Sequence, residues 1–310
     1  MWRDNHWMYL VVTMLIVIVW ILPVPSDGQS SRERPGGRLS RRTNQQPAQD
    51  VVQGTTIHTL NLSGSPRTYR LHIPATLTQQ TSYPLVLSFH GLHSNAAQQE
   101  TLSAFSSLAD QEGFIVVYPD GLDAKWHFVD RNGVDVEFVD EILADVNRHV
   151  AIDARRMYAT GISNGAQMVW RLVCDRPTLF AAVGFVAGGY PGVCSGPRPP
   201  AILFHGTDDR LLPYDGRGKV LMPVRDFVRV WVSYDDHPSP DPGAIIFQQG
   251  DAIGEQWTEG NRVVILYTLS GKGHSWPGST MPDSITSQDI DATTTMWTFF
   301  TRWELSESSK

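Results

Sequence analysis

The sequence predicts an α/β fold with a mostly parallel central sheet and helices on both of its faces. Short apolar runs typical of buried strands alternate with stretches whose apolar residues recur at helical spacing. The content of 41% hydrophobic and 18% charged residues over 310 positions is typical of a globular chain that needs no disulfide framework. Buried strands that alternate with helices form parallel sheets, because each helical crossover covers one face of the sheet.

Residues 1–50 differ in composition from the rest of the chain. Residues 7–22 are apolar apart from Thr13, which predicts a signal peptide over residues 1–26, with an uncleaved membrane anchor as the alternative. Residues 27–50 are rich in Arg, Ser and Gln and show no periodicity, so a disordered linker is predicted there. Residues 51–310 are then expected to form one folded domain.

The charge of the chain argues against nucleic-acid binding. The chain carries 25 Lys and Arg against 32 Asp and Glu, a net charge of −7. Residues 1–50 hold 6 of the basic and 4 of the acidic side chains, so the remainder carries 19 and 28 and a charge of −9. An acidic domain is a poor partner for phosphate backbones, and no nucleic-acid partner is expected. A membrane is expected as a partner only if the N-terminal segment stays uncleaved.

The first half of the folded domain begins with two predicted edge strands, "TIHTLNL" and "RTYRLHIP". The apolar run "YPLVLSFHG" predicts a buried strand, a helix is expected over about residues 97–112, and "FIVVYPDG" predicts a second buried strand. The segment "FVDEILADVNRHV" places Phe138, Ile142, Val146 and Val150 on one face at near four-residue spacing, which predicts a helix.

The second half continues the alternation. "RRMYATG" predicts a strand and "GAQMVWRLVCDRP" a helix that Pro177 ends, and two buried strands follow in "FAAVGFVAG" and "PAILFHG". A helix is expected at about residues 223–234 and a strand in "NRVVILYTLSG". A last helix is predicted from one apolar stripe, formed by Met296, Phe299, Phe300 and Trp303. In sheets of this kind ligands bind beyond the carboxyl ends of the strands, so chemistry is expected there.

A Gly-x-Ser-x-Gly pattern joins a predicted strand to a predicted helix, with Ser163 at its centre between Gly161 and Gly165. This is the setting in which a serine nucleophile is presented on a tight turn, and the small glycines allow other backbone to approach closely. The pattern occurs by chance in many chains, so a tight turn alone is the alternative. Further residues have to decide between the two.

A base and an acid follow Ser163 in the order that a nucleophile of this type requires. Asp208 and Asp209 follow the strand "PAILFHG", and His274 follows the strand "NRVVILYTLSG" in a glycine-rich loop. Since the types, their order and their positions after strands agree, the sequence predicts a Ser-His-Asp triad rather than ordinary loop residues. One of the two aspartates is expected only to cap a turn. No set of side chains shows metal-ligand spacing, so no metal site is predicted.

Two backbone N–H groups are predicted to form an oxyanion hole. One belongs to Asn164, directly after the nucleophile, and the other to Leu92, in the loop after the strand that ends in His90-Gly91. His90 is expected to pack and hydrogen-bond beneath that loop rather than to react. Trp126 and Trp276 are candidates for an aromatic wall near the site, and bracing of the His274 loop is the alternative for Trp276.

The chain contains two cysteines, Cys174 and Cys194. In an exported protein an even number suggests one disulfide, which here would close a loop of about 20 residues. Two buried thiols are the alternative.

The motifs, taken together, resemble the polyhydroxybutyrate-depolymerase and feruloyl-esterase group of the α/β-hydrolases. The resemblance covers about residues 55–303 and rests on these stretches, in order: "RTYRLHIP", "FHGLHSNA", "ADQEGFIVVYPDG", "VDVEFVDEIL", "YATGISNGAQM", "FAAVGFVAGG", "FHGTDDRLLPYDG" and "GKGHSWPG". It implies an α/β-hydrolase catalytic domain over residues 51–310 in a secreted carboxylic-ester hydrolase that needs no cofactor.

The resemblance also assigns residues. The family's serine falls on Ser163, its histidine on His274 and its acid on Asp209, with Asp208 as the second candidate; it also favours the pairing of Cys174 with Cys194. The chain departs from the family at residues 134–138, where Val-Asp-Val-Glu-Phe stands in place of Asp-Asp-Val-Gly-Phe. This departure puts the shape of a loop near the substrate in doubt.

Three functions are consistent with these residues. The resemblance favours an extracellular esterase that acts on feruloyl or acetyl esters of plant polysaccharide. A polyhydroxyalkanoate depolymerase, or a peptidase, would use the same triad on another substrate. A non-catalytic binding protein on a hydrolase fold is the alternative from another class, but such proteins typically lose a member of the triad, and the three residues are all present here.

Overall fold

A computed structural model describes residues 52–77, 81–129, 133–190, 192, 194, 196–218, 220–233 and 241–306. These residues all lie within one unit that spans Ala48–Lys310. The predicted signal peptide and linker lie outside the described residues. Among the helices that are described, none has both the length and the apolar character needed to cross a membrane.

In the part of the chain that the structure describes, ten strands form one sheet. Its strands in chain order are β1 (Gly54–Leu62), β2 (Ser65–Ile73), β3 (Tyr83–Phe89), β4 (Ile115–Pro119), β5 (Ile152–Ile162), β6 (Ala182–Val186), β7 (Ala201–Gly206), β8 (Ala244–Gln249), β9 (Ala252–Glu259) and β10 (Arg262–Leu269). In space they follow the order β1-β2-β4-β3-β5-β6-β7-β10-β9-β8. The six central strands are parallel to one another; in spatial order they are β4, β3, β5, β6, β7 and β10. Antiparallel strands flank them on both sides. The mostly parallel sheet predicted from the sequence is therefore confirmed.

The hairpin of β8 and β9 at one edge was not among the predicted elements. Five of the six residues of β8 are exposed, so that strand has no buried face to produce an apolar pattern. β9 has mostly buried or partly buried positions but includes the polar residues Glu255, Gln256 and Glu259. Because the strands of an edge hairpin carry so many polar side chains, they lack the apolar run that marks a central strand.

The described residues include six α-helices: α1 (Ala96–Ser103), α2 (Phe105–Glu112), α3 (Val134–His149), α4 (Asn164–Asp175), α5 (Val224–Val232) and α6 (Ala292–Phe300). The single helix expected over residues 97–112 is two helices, because Ala104 adopts a left-handed conformation with φ of 51° and ends α1. The last helix ends at Phe300, and Trp303 packs from the segment that follows it.

The core lies on both faces of the sheet. Alternate residues of β3 point to opposite sides, with Leu85 and Leu87 in one cluster and Val86 in the other. Helices α3, α4 and α5 cover the first face and α1, α2 and α6 the second. Helices on both faces, as predicted, hold the carboxyl ends of the parallel strands in fixed positions.

A disulfide joins Cys174, in α4, to Cys194, in the segment before β7, with their Cα atoms 5.0 Å apart. This confirms the pairing that the resemblance favours over two free thiols. The bridge anchors the segment between β6 and β7 to the helix that begins directly after Ser163.

Candidate active site

The predicted site residues all follow carboxyl ends of parallel strands. Leu92 follows β3, Ser163 follows β5, Asp209 follows β7 and His274 follows β10. In the sheet β3 lies next to β5 and β7 lies next to β10, with β6 between the two pairs. The parallel order therefore brings residues that are distant in the sequence to one edge of the sheet.

Ser163 stands on a strained turn between β5 and α4. Its backbone has φ of 59° and ψ of −119°, a conformation that side-chain-bearing residues rarely adopt. The Ser163 N–H donates to the Val186 carbonyl at 2.9 Å, and the Ser163 carbonyl accepts the Gln167 N–H at 3.1 Å. These two bonds fix the backbone of Ser163, which is held at the start of α4 and lines the cleft described below.

The two glycines of the pattern are required by close backbone approach. A Cβ atom on Gly165 would lie 2.2 Å from the Phe89 carbonyl oxygen and 2.6 Å from that of His90. A Cβ atom on Gly161 would lie 2.6 Å from the carbonyl carbon of Gly165. Because these partners are backbone atoms of β3 and of the turn itself, neither position has room for a side chain.

Buried Asp209 and partly exposed His274 form a hydrogen-bonded pair. The Nδ1 atom of His274 lies 2.7 Å from Oδ2 of Asp209, whose side chain is fully buried. The other carboxylate oxygen accepts the N–H groups of Leu211 and Leu212, both at 2.9 Å. Asp208 is exposed and pairs with the Thr207 hydroxyl, so of the two aspartates it is Asp209 that contacts the histidine.

The surroundings of Asp209 favour its charged form. Burial by itself would raise the pKa of this carboxyl, but the hydrogen bond and the charge of His274, the Leu212 N–H and His205 together lower it. His205 is also buried, and its Nε2 atom lies 3.5 Å from the carboxylate and 2.8 Å from the Leu212 carbonyl. An ionised Asp209 accepts Nδ1–H of His274 and leaves the Nε2 lone pair of that ring available as a base.

The two residues predicted to supply the oxyanion hole lie next to Ser163 along the same cleft. Leu92 and Asn164 both line the cleft beside Ser163. Within the described part of the chain, neither of their backbone N–H groups has a hydrogen-bond acceptor. Asn164 is the first residue of α4, where helix geometry leaves the N–H unpaired and the helix dipole favours negative charge.

A cleft of about 650 Å³ opens over Ser163, Asn164 and His274. Its apolar lining comes from Leu92, Leu102, Phe128, Ile162, Leu211, Leu212 and Met281, and its other residues are Gly91, His93, Ser94 and Gln167. Among the described residues that line it, histidines are the only ionisable side chains. The volume falls within the range of about 300–1,000 Å³ typical of sites for small organic ligands.

Neither Trp126 nor Trp276 lines this cleft, so the aromatic wall predicted from the sequence is not formed by them. Trp126 is 2% exposed and donates its indole N–H to the His90 carbonyl. Trp276 is 1% exposed and donates to the Thr293 hydroxyl, which fits the bracing alternative for the His274 loop. Both rings can be buried without an unpaired polar group, because their N–H groups have partners inside the protein. The aromatic ring that does line the cleft is Phe128.

The departure at residues 134–138 leaves one important acid in place. Asp135 is buried and accepts hydrogen bonds from Arg67 at 2.8 Å and from the His127 N–H at 2.7 Å. These contacts fix the segment that carries Trp126 and Phe128. The Arg67 guanidinium also lies 4.0 Å from the centre of the Phe138 ring.

Sequence reasoning missed the role of the Asn164 side chain, which no spacing signals. Its Oδ1 accepts the Trp126 N–H at 2.6 Å and its Nδ2 donates to the Trp126 carbonyl at 3.1 Å. The amide thus ties the segment around Trp126 to the first turn of α4. Asn164 lies between Ser163 and Gly165, and the sequence predicts a role only for its backbone N–H, in the oxyanion hole.

One group among the described residues has the side-chain types of a metal site: His58, Asp145 and His149, with ligand atoms within 4.8 Å of one another. Sequence spacing could not reveal it, because His58 lies on β1 and the other two lie on α3. Both oxygens of Asp145 already accept hydrogen bonds, one from the Tyr69 hydroxyl at 2.5 Å and one from Arg148. The Arg148 cation at this carboxylate opposes the binding of a second cation.

Comparisons with known proteins agree with this geometry. The family model described as "Esterase PHB depolymerase" matches residues 67–207. The chain is 26% identical to the putative esterase NocK of Nocardia uniformis, over 84% of this chain and 85% of NocK. It is 30% identical to the probable feruloyl esterase C of Aspergillus flavus, over 52% of this chain and 67% of that protein. Matches to two other fungal feruloyl esterases span 57% and 58% of those proteins.

The fold has a solved relative. An acetyl xylan esterase from Aspergillus awamori superposes with a TM-score of 0.59 at 17% identity, over 79% of this chain and 99% of that one. This likeness concerns the α/β-hydrolase fold, while the family follows from the sequence matches. The chain belongs to the polyhydroxybutyrate-depolymerase and feruloyl-esterase group of the α/β-hydrolases, a group of carboxylic-ester hydrolases.

Proposed function

We propose that the protein hydrolyses carboxylic esters through an acyl-enzyme formed on Ser163. The observation that supports this most is the hydrogen-bonded Asp209–His274 pair, whose histidine lines the same cleft as Ser163. A serine hydroxyl is a weak nucleophile unless a base takes its proton, and an oriented imidazole is the base that this arrangement supplies. Family membership supports the same reaction class.

In the proposed mechanism His274 Nε2 takes the proton of the Ser163 hydroxyl as its oxygen attacks the ester carbonyl carbon. The negative charge that develops on the carbonyl oxygen is held by the Leu92 and Asn164 N–H groups. The tetrahedral intermediate then expels the alcohol, which receives its proton from His274. Water then takes the place of the alcohol: it gives a proton to His274 as it attacks the acyl-enzyme, and the acid leaves as His274 returns the proton to Ser163. Ionised Asp209 stabilises the imidazolium in both steps.

The cleft favours an uncharged acyl group of substantial size. Leu92, Phe128, Leu211 and Met281 offer apolar contact, and the cleft volume of about 650 Å³ exceeds what an acetyl group needs. We therefore favour a feruloyl or similar phenolic ester attached to polysaccharide over an acetyl ester. A hydroxyalkanoate polyester, suggested by the family description, is the second candidate because its acyl units are also uncharged.

Secretion is part of the proposal. The Cys174–Cys194 disulfide forms and persists in oxidising compartments such as the extracellular space. The polysaccharide of plant cell walls lies outside the cell, so an exported enzyme would meet it there. The predicted signal peptide over residues 1–26 would supply the export signal.

Hydrolysis of a short chromogenic ester tests the triad. We expect turnover by the wild-type protein and a loss of about 10⁶-fold in kcat for Ser163→Ala, because the acyl-enzyme cannot form. Ser107→Ala, the same chemical change at an exposed position on α2, is the matched control and should keep wild-type activity. Turnover by Ser163→Ala, or failure of Ser163 to react with a fluorophosphonate probe, would contradict the mechanism and favour a non-catalytic binding protein.

A substrate panel separates the candidate substrates. Rates of acid release from methyl ferulate, acetylated xylan and hydroxybutyrate oligomers are compared at equal enzyme concentration. We expect the highest kcat/KM with methyl ferulate, since the apolar cleft contributes binding to the phenolic acyl group in the transition state. A higher kcat/KM with hydroxybutyrate oligomers would identify a depolymerase instead, and one with acetylated xylan would show that the cleft volume does not select the acyl group.

A further inference from the structure

We propose that His90 is a positioning residue of the oxyanion hole, whose imidazole holds the Gly91–Leu92 peptide in the orientation that presents the Leu92 N–H to the substrate. The inference rests on the proposed function, because it assigns a task to His90 in the reaction of Ser163. His90 lies directly after β3, is fully buried and does not line the cleft, so it acts through Gly91 and Leu92.

The hydrogen bonds of His90 identify its tautomer. The Gly121 N–H donates to Nε2 of His90 at 2.9 Å, and a backbone N–H can only donate. Nε2 therefore carries the lone pair, and the proton of the neutral ring is on Nδ1. That atom lies 2.7 Å from the Gly91 carbonyl oxygen, so Nδ1–H donates to this carbonyl.

The carbonyl that His90 holds belongs to the same peptide group as the Leu92 N–H. In a planar trans peptide the C=O and N–H bonds point in opposite directions. Since the Gly91 oxygen is turned towards His90 beneath the loop, the Leu92 N–H is turned away from His90. Leu92 lines the cleft beside Ser163, where this N–H is needed. A reversed peptide would instead present the Gly91 oxygen, which repels an oxyanion.

The peptide needs a restraint of this kind because Gly91 has little conformational restriction of its own. A glycine has access to backbone conformations that other residues avoid, so rotation of the peptide that follows it meets a low steric barrier. The Ser94 N–H also donates to the Gly91 oxygen, at 3.2 Å. That bond is longer than the one from His90, and it comes from the loop that has to be held.

His90 is itself fixed by the neighbouring segment. The Trp126 indole N–H donates to the His90 carbonyl at 2.9 Å, and Asn164 holds the Trp126 backbone through two hydrogen bonds. At Gly121 a Cβ atom would lie 2.5 Å from the Lys125 carbonyl oxygen and 3.2 Å from Nε2 of His90. The segment therefore approaches the ring as closely as glycine allows, and the ring has one orientation.

The ring is held in the neutral form that these bonds require. Burial lowers the pKa of His90, although the Gly91 carbonyl and the carboxylates of Asp120 and Asp135 act in the opposite direction. A protonated ring would place an N–H on Nε2 against the Gly121 N–H. The bond from Gly121 would then be lost.

Two amide substitutions separate the nitrogens of His90. In His90→Asn the side-chain amide occupies the position of Nδ1 and can still donate to Gly91. In His90→Gln the longer side chain places its amide near Nε2, where it can accept from Gly121 but cannot reach Gly91. We expect kcat to fall about 10²–10³-fold in His90→Gln at nearly unchanged KM, as for the loss of one oxyanion donor, and less than 10-fold in His90→Asn.

Affinity for a trifluoromethyl ketone, which forms a tetrahedral adduct with the serine, is the second readout. Its dissociation constant should rise in His90→Gln by the same factor as kcat/KM falls, because both depend on the oxyanion hole. A structural role alone would lower the melting temperature without this proportionality. Equal loss in both variants, wild-type kinetics in both, or a larger loss in His90→Asn would overturn the proposal.

A third variant covers the case in which the amide variants do not fold. His90→Ala leaves a cavity that a small ring from solution can fill. We expect imidazole, which has an N–H, to restore activity and 1-methylimidazole, which can only accept, to leave it low. Rescue by both compounds or by neither would contradict the proposal. If the wild-type protein hydrolyses no ester, or if Ser163→Ala remains active, the proposed function is wrong. If catalysis is normal and the His90 variants behave as the wild type does, only the role of His90 is wrong.

Discussion

At the scale of single residues, the site depends on Asp209 more than the sequence could indicate. Two adjacent aspartates follow β7, and only the burial of one and the exposure of the other distinguish them. Asp209 accepts three hydrogen bonds, from His274, Leu211 and Leu212, which together outweigh the cost of burying its charge. Such a carboxylate both orients the imidazole and selects its tautomer.

Substitution of this acid gives a prediction with an internal control. Asp209→Asn keeps the volume of the side chain but can present an N–H to Nδ1 of His274, which stabilises the wrong tautomer. We expect kcat to fall about 10⁴-fold, measured with the chromogenic ester at saturating concentration. Asp208→Asn, the neighbouring exposed position, should change kcat less than twofold. A large loss for Asp208→Asn and a small one for Asp209→Asn would transfer the role to Asp208.

At the scale of elements, a strand or helix could be predicted from the sequence where its pattern of apolar residues reflects its burial. β3, with every residue buried, is predicted from a continuous apolar run, and α3, with one apolar face, from apolar residues at helical spacing. The edge hairpin of β8 and β9 was not, because exposed strands have no such pattern. The break at Ala104 was also missed, because alanine favours helix and its residue type gives no sign of a left-handed conformation.

The turn between β5 and α4 could be predicted from the sequence, but its contacts with the neighbouring segments could not. Gly161, Ser163 and Gly165 signal a tight turn by residue type alone. The contacts of Phe89 with Gly165 and of Trp126 with Asn164 join segments that are 76 and 38 residues apart in the chain. Contacts over such separations have no signature in a single sequence, so the Trp126 and Trp276 rings were expected in the cleft although both are buried.

At the scale of the whole molecule, the parallel sheet converts the order of the chain into the geometry of the site. Ser163, Asp209 and His274 follow β5, β7 and β10, so the sequence alone places all three at the carboxyl edge of the sheet. The shape of the cleft was not predictable, because Leu102 comes from α1, Phe128 from the segment before α3 and Met281 from the loop before α6. The substrate depends on these loops and therefore on tertiary structure.

The disulfide gives a prediction for the stability of the whole domain. Cross-linking Cys174 and Cys194 closes a loop across a sequence separation of 20, which lowers the entropy of the unfolded chain and stabilises the fold by about 3 kcal/mol. We expect the double variant Cys174→Ser/Cys194→Ser to lose about this free energy of unfolding in urea, and a reductant to destabilise the wild-type protein but not the variant.

The position of the bridge decides how activity should respond. Cys174 lies near the end of α4 that is distant from Ser163. The hydrogen bonds of Ser163 with Val186 and Gln167, which fix the turn, do not involve either cysteine. Below the melting temperature the double variant should therefore keep kcat within about threefold of wild type while it unfolds at lower urea concentration. A large loss of kcat in the folded variant would show instead that the bridge holds the nucleophile in place.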